Sequence, residues 1–243
     1  MQINFTPNLQ PQNTFASRNA TIRRADDIAR LVNRQYPRIS SSNIEDFKNI
    51  SKRPEAYNRL ANLINRVRFN MKTNMNKSDD YISKLKAFAE EISDYKVGNC
   101  DESAKLAYIA AKANGIKDLQ LAAMETIIFN PTDQTVQCVK PLDHIVLRVE
   151  NGKNPYIIDP WLGFADYIPR AMERYRKEFG HHFDFSSNPE DIVLVSPKTT
   201  IFGLIVQKTS KDDLQKAFPQ LILPEPQKPT LVSKIKKIVK NIF

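Results

Sequence analysis

Three side chains in the middle of the sequence have the types and spacing that nucleophilic catalysis requires. Cys100 lies in the segment VGNCDESA, at the expected start of an alanine-rich helix. A helix N-terminus presents unpaired backbone N–H groups and a positive potential, which favour a thiolate over a thiol and can stabilise an oxyanion beside it. His144 begins an expected strand, and Asp159 ends the next one.

The spacing of His144 and Asp159 fits a β-hairpin. Asn151 and Gly152 lie between the two expected strands and form a turn signal. Pairing of the strands would bring the imidazole next to the carboxylate, which can orient the ring and stabilise its charged form. The imidazole would then activate the Cys100 thiol as a base. The sequence therefore predicts a Cys–His–Asp triad.

Each of these residues also has an ordinary structural interpretation. A cysteine at a helix start is commonly a small core residue, and Asp-Pro at a strand end is a common turn. The order of the three residues, rather than any one of them, favours catalysis. Cys138 lies in an apolar stretch and is predicted to be inert. His181, His182 and Asp184 are too few to ligate a zinc ion, so neither a metal nor a cofactor is predicted.

The ordered motifs resemble the papain-like superfamily in its transglutaminase-like branch. The corresponding segments are, in chain order, Gly98-Asn99-Cys100, Asp143-His144 and Asp159-Pro160. GNCDESA and IDPWLG are also similar to Cys–His–Asp domains of secreted bacterial effectors. The resemblance spans residues 95–165. It assigns catalytic roles to Cys100, His144 and Asp159 alone.

The resemblance implies a central helix that bears the cysteine and packs on an antiparallel sheet, and it implies acyl transfer at an amide. Water would give proteolysis at a peptide bond or deamidation at a glutamine side chain, and an amine acceptor would give transglutamination. The sequence leaves these three reactions open. A papain-type oxyanion-hole glutamine is not evident in EISDYKVGN, which precedes the cysteine. Tyr95, Asn99 and Trp161 are the candidates for the second oxyanion donor.

Hydrophobic periodicity predicts helices first and strands afterwards, which is an α+β arrangement. The predicted helices span residues 25–36, a segment from Pro54 to about Met71, residues 79–92 with Ser78 as N-cap, residues 100–114 ended by Gly115, and residues 166–180 ended by Gly180. The predicted strands span residues 119–129, 144–150, 155–160, 191–195 and 200–206. The alanine-rich face of the helix at 100–114 predicts that this helix is central.

The chain is predicted to have four parts: a leader at 1–24, a helical region at 25–94 that packs on the core or recognises its substrate, a catalytic core at 95–222, and a Pro-rich linker with a basic amphipathic helix at 223–243. The first 17 residues carry no charge and are rich in Asn, Gln, Thr and Pro. This composition predicts disorder and resembles type III secretion leaders. The terminal helix could pack on the core, bind anionic lipid or dock to a partner.

The composition is that of an ordinary globular protein of 243 residues, with a net charge of +9. No apolar run is long enough for a transmembrane helix, and no signal peptide is evident. The positive charge lies at the two ends, whereas the middle of the chain is mildly acidic. Because a nucleic-acid enzyme would concentrate positive charge at its site, no nucleic-acid partner is expected.

These observations predict a thiol-dependent hydrolase or transferase that acts on a protein substrate. The leader favours a secreted bacterial virulence effector that acts in the host cytoplasm or at a host membrane, on a host protein. The alternative function is a non-catalytic adaptor that binds a partner or a membrane. The alternative location is the bacterial cytoplasm.

Overall fold

A computed structural model describes residues 20–38, 54–129, 135–152, 154–179 and 192–225. The predicted leader up to residue 19 and the predicted C-terminal helix lie outside these residues. The same is true of Gly180, His181, His182 and Asp184, and of the side chain of Cys138.

Seven α-helices and one 3-10 helix (Pro219–Leu221) are formed by the described residues. The α-helices are α1 (Ala20–Gln35), α2 (Pro54–Asn76), α3 (Tyr81–Tyr95), α4 (Cys100–Ala113), α5 (Ile168–Phe179), α6 (Ile201–Lys208) and α7 (Lys211–Ala217).

Five strands form one antiparallel sheet in the order β4-β3-β2-β1-β5. The strands are β1 (Leu119–Phe129), β2 (Val136–Val149), β3 (Tyr156–Asp159), β4 (Phe164–Tyr167) and β5 (Ile192–Lys198). The first four strands are joined as consecutive hairpins, and β5 returns to pair with β1 at the edge of the sheet. The α+β class predicted from the sequence is confirmed.

The sheet buries apolar side chains on both of its faces. On β2, Val146 belongs to one apolar cluster and its neighbour Leu147 belongs to the other, because successive side chains of a strand point to opposite faces. Helices α1 and α4 cover the Leu147 face, and α5 covers the Val146 face.

Helix α4 is the central helix of the fold. It contacts α1, α6, α7 and three strands of the sheet. Its alanines are completely buried: Ala104, Ala107, Ala110, Ala111 and Ala113. Small side chains let the helix backbone approach its neighbours closely, so the predicted central position is confirmed. Helix α4 ends as predicted before Gly115, which has the left-handed φ of +81° that favours glycine.

Helix α1 begins at Ala20 rather than at residue 25, so residues 20–24 are helical and the predicted limit of the leader at residue 24 is wrong. Ile22 is completely buried in the same apolar cluster as the residues of α4. The buried Asp26 carboxylate accepts a hydrogen bond of 3.0 Å from the Ala165 N–H. This bond ties α1 directly to β4.

Helix α3 begins at Tyr81, and its N-cap is Asp80 rather than the predicted Ser78. The Asp80 carboxylate accepts a hydrogen bond of 2.7 Å from the Ser83 N–H. Ser78 instead accepts from the backbone N–H of Asp80. Aspartate and serine are both good N-cap residues, so the choice between them depends on where the backbone enters the helix.

The predicted strand at residues 200–206 is wrong, because this segment forms helix α6. Thr200 caps the helix by accepting a hydrogen bond of 2.9 Å from the Gly203 N–H. Phe202, Ile205 and Val206 then share one buried face. A short apolar run fits a buried strand and a buried helix equally well by periodicity.

Two further boundaries differ from the prediction. Residues 164–167 form β4, paired with β3, so the helix predicted from residue 166 begins at Ile168. Strand β2 extends back to Val136, because it pairs with β1 along almost its whole length.

Candidate active site

Cys100 is the first residue of α4, as predicted, and it is partly exposed. The backbone before it is held by the first turn of the helix. The Asn99 N–H donates a hydrogen bond of 2.8 Å to Glu102, and the Ser103 N–H donates to the Asn99 carbonyl. The thiol therefore lies at the positive end of a 14-residue helix.

His144 lies at a β-bulge in strand β2. Residues 142–144 of β2 lie opposite the single residue Met124 of β1. A bulge bends its strand and changes the direction of the side chains around it, and bulges are frequent next to active sites. The His144 ring is buried, with its centre 5.2 Å from that of Trp161 and 5.8 Å from that of Tyr175.

Asp159 is paired with His144 through the hairpin that the sequence predicted. Strands β2 and β3 pair from Val149 opposite Tyr156 to Leu147 opposite Ile158, and Asp159 ends β3. The Nε2 atom of His144 lies 2.7 Å from Oδ2 of Asp159, and both side chains are almost completely inaccessible to solvent.

Two further donors hold the Asp159 carboxylate. The Leu162 N–H donates to Oδ1 over 3.1 Å, and the Tyr175 hydroxyl donates to Oδ2 over 2.5 Å. The sequence analysis missed Tyr175. Its only signal was an aromatic residue on a predicted helix, and nothing in that pattern indicates what a hydroxyl contacts.

Cys100 completes the arrangement from the other side of the imidazole. Its side chain forms a hydrogen bond with the His144 ring. Because Nε2 is occupied by Asp159, Nδ1 is the ring nitrogen that remains for the thiol. The structure thus brings together all three of the predicted site residues, with His144 between Cys100 and Asp159.

The environment of His144 favours the charged ring. Burial alone disfavours the imidazolium and lowers its pKa. The charge and hydrogen bond of Asp159, together with the hydrogen bond and charge of Cys100, outweigh burial and raise the pKa from 6.5 to about 10. An imidazolium between a carboxylate and a cysteine is the protonation state that stabilises a thiolate.

This raised pKa predicts how the stability depends on pH. The stabilisation from His144 is fully present below its unfolded pKa of 6.5 and is lost as the pH rises through its folded pKa of about 10. Between about pH 8.5, above which the thiols of the unfolded chain are also ionised, and pH 10, we expect the free energy of unfolding to fall by up to about 1.4 kcal/mol per pH unit. Urea denaturation at several pH values measures this slope. The His144→Gln variant should have a shallower slope, and parallel slopes would contradict the prediction.

An ion pair between the half-exposed Arg68 of α2 and the buried Glu102 carboxylate holds the first turn of α4. The guanidinium of Arg68 donates two hydrogen bonds, of 2.7 and 3.1 Å, to the two carboxylate oxygens of Glu102. Burial raises the pKa of Glu102, but the hydrogen bond and charge of Arg68 outweigh this effect and lower it. The hydrogen bond to Glu102 and the charge of Cys100 are among the causes that raise the pKa of Arg68. Arg68 therefore adds positive potential near the thiol.

Arg38 supports the same turn from the end of α1. Its Nε donates a hydrogen bond of 2.8 Å to the Ser103 hydroxyl. Gly98 permits a close approach here, because a Cβ at this position would lie 3.1 Å from the Glu102 Cβ and 3.3 Å from the Arg38 Cδ, so that these side chains would have to shift by a few tenths of an ångström. Burial lowers the pKa of Arg38 to about 10, and the charges of Glu102 and Asp159 oppose this. Sequence reasoning assigned no role to Arg38 or Arg68.

The three candidates for the second oxyanion donor lie in different places. Asn99 is the N-cap of α4, next to Cys100, and Trp161 packs against the His144 ring. Tyr95 is the last residue of α3 and is 39% exposed. The choice among them stays a prediction.

Other features of the described residues lie away from this site. Cavities of about 590 and 760 Å³ lie at the opposite end of α4, around Gly115 to Asp118, and none of the three site residues lines them. Across the described ranges, no group of three His, Cys, Asp or Glu side chains could hold a metal ion. None of the described helices is long and apolar enough to cross a membrane.

Comparisons of the chain with protein-family models, with curated proteins and with solved structures gave no match.

Proposed function

We propose that this protein is a thiol-dependent acyl-transfer enzyme with a papain-like, transglutaminase-like core. One observation carries the proposal: the buried His144 ring is hydrogen-bonded to Asp159 on one side and to Cys100 on the other, with Cys100 at the N-terminus of the central helix. Cys100 is the nucleophile, His144 is the general acid and base, and Asp159 orients the imidazole.

The reaction begins with attack of the Cys100 thiolate on the carbonyl carbon of an amide. The carbonyl oxygen becomes an oxyanion beside the backbone N–H groups at the start of α4. When the carbon–nitrogen bond breaks, the His144 imidazolium passes its proton to the leaving amine, and a thioester remains on Cys100. Water or an amine then attacks the thioester, His144 accepts its proton, and the thiolate is regenerated.

The proposed substrate is an amide group of a protein. Cleavage of a peptide bond gives two fragments, deamidation converts glutamine to glutamate, and an amine acceptor gives a crosslink. Mass spectrometry of treated protein substrates distinguishes these three products. The composition of the first 17 residues supports the further proposal that the protein is a secreted bacterial effector with a host protein as its substrate.

The alkylation rate of Cys100 tests the activated thiol without knowledge of the substrate. We expect iodoacetamide to modify Cys100 rapidly well below pH 8.5, at which an ordinary thiol is about half ionised. The His144→Ala variant should react at least about tenfold more slowly at pH 6, because the thiolate has lost its imidazolium partner. Peptide mass spectrometry gives the rates of Cys100 and Cys138 in the same sample.

Cys138 is the internal control for the reagent and the pH. If Cys100 reacts no faster than an ordinary thiol, and if the His144→Ala variant reacts at the same rate, the proposed activation is wrong. A non-catalytic adaptor would then be the better proposal.

A further inference from the structure

The Oδ2 atom of the Asp159 carboxylate is shared between two donors that come from different elements of the fold. Its Oδ2 atom accepts from His144 Nε2 on β2 and from the Tyr175 hydroxyl on α5, while Oδ1 accepts from the Leu162 N–H. Tyr175 is completely buried, and its ring meets the His144 ring edge to face. Its hydroxyl links α5 to the site.

A carboxylate oxygen that accepts two hydrogen bonds divides its negative charge between them. The Tyr175 hydroxyl therefore weakens the attraction between Asp159 and the His144 imidazolium. This matters for the proposed reaction, because the imidazolium must give up its proton to the leaving amine. A carboxylate that held the ring alone would keep that proton more tightly.

We propose that Tyr175 is a positioning residue of the site: its hydroxyl fixes the Asp159 carboxylate and limits how strongly the carboxylate holds the imidazolium. This inference rests on the proposed acyl-transfer function. Tyr175 does not touch the reacting atoms, and it acts through Asp159.

The other charged groups near Tyr175 and Asp159 do not change the direction in which the Tyr175 hydroxyl acts on the His144 imidazolium. Desolvation and the charge and hydrogen bond of Asp159 raise the pKa of Tyr175 well above 10, with a smaller contribution from Cys100, whereas Arg174 lowers it. Tyr175 is therefore neutral at all working pH values, and its hydroxyl donates a hydrogen bond to Asp159. Arg38 is a further cation whose charge interacts with Asp159, and the substitution of Tyr175 does not alter it.

The test compares Tyr175→Phe with Tyr108→Phe in the full-length protein. Tyr108 is a matched control, because it is equally buried and its hydroxyl donates to the Leu119 carbonyl, away from the three site residues. Iodoacetate alkylation of Cys100 is followed against pH. The rate constant falls at alkaline pH when the imidazolium loses the charge that attracts this anionic reagent. This fall is the alkaline limb of the plot of rate constant against pH.

We expect Tyr175→Phe to move this alkaline limb upward by about one pH unit, a tenfold change in the proton affinity of the ring. The proton on His144 Nε2, observed by proton NMR at neutral pH, should move downfield because its hydrogen bond to Asp159 becomes stronger. Tyr108→Phe should change neither measurement, although it should lower the free energy of unfolding about as much as Tyr175→Phe does.

The outcomes separate this inference from the proposed function. If the wild-type protein shows no fast alkylation below pH 8.5, the proposed function fails. If the wild-type protein is activated but Tyr175→Phe leaves both the alkaline limb and the NMR signal unchanged, the role of Tyr175 is wrong. A downward shift of the limb would also overturn it. If Tyr175→Phe does not fold, the Tyr175→Gln variant, whose uncharged amide can still donate a hydrogen bond to Asp159, should keep the limb near its wild-type position, and an upward shift in that variant would overturn the role.

Discussion

The Cys100→Ala variant is expected to lose acyl-transfer activity by at least about 10³-fold while it keeps its fold. Alanine removes the atom that forms the thioester, and neither His144 nor Asp159 can replace it. Alanine is also a better helix former than cysteine, so the start of α4 should not unravel. Release of p-nitrophenolate from p-nitrophenyl acetate measures the acyl-transfer step, and the midpoint of urea denaturation measures the fold.

Cys138→Ala is the matched control, since it removes the chain's other thiol. It should keep its full activity, because Cys138 belongs to neither α4 nor the triad. If Cys100→Ala retains more than a small part of the wild-type ester turnover, Cys100 is not the nucleophile. If both variants lose activity together, the assay reports a reaction of thiols in general rather than of this site.

Asp159→Asn is expected to reduce turnover by about 10³- to 10⁴-fold with little change in shape. Asparagine is close in size to aspartate, but it carries no charge to stabilise the imidazolium. Its NH₂ group can also donate to Nε2 and so favour the wrong tautomer of His144. The turnover of p-nitrophenyl acetate and the alkylation rate of Cys100 should fall together.

Asp166→Asn provides the comparison for Asp159→Asn. Asp166 is also a buried carboxylate on a neighbouring strand, and it accepts a hydrogen bond from the Tyr167 N–H. Because Asp166 lies opposite Ile157 rather than Asp159 in the pairing of β3 with β4, its loss should leave turnover nearly unchanged. Equal losses in the two variants would show that a general effect on the sheet, rather than the orientation of His144, explains the result.

The sequence predicted which three residues lie together better than it predicted several of the elements around them. Cys100, His144 and Asp159 could be found because each lies at the end of an element, where local signals are strong. A small-residue helix followed Cys100, and a turn dipeptide separated the two strands that carry His144 and Asp159. These signals act over short stretches of chain, so one sequence contains enough of them to predict the hairpin.

The residues that support the site could not be predicted in this way. Arg68 binds Glu102 from 34 residues away, and Arg38 binds Ser103 from 65 residues away. Such contacts depend on how helices pack, which periodicity does not determine. The strand predicted at residues 200–206 failed for a related reason, because the cap at Thr200 decided between two structures that the apolar pattern allowed equally.

The bond between Asp26 and Ala165 has a consequence for the order in which the chain can fold. These residues are 139 positions apart, whereas His144 and Asp159 are only 15 apart. Contacts between near neighbours in sequence generally form earlier than contacts that close long loops. The imidazole–carboxylate pair can therefore form within its own hairpin, whereas α1 has to wait for β4. During synthesis on the ribosome, the first described helix to emerge cannot complete its packing until residues near 165 have followed it.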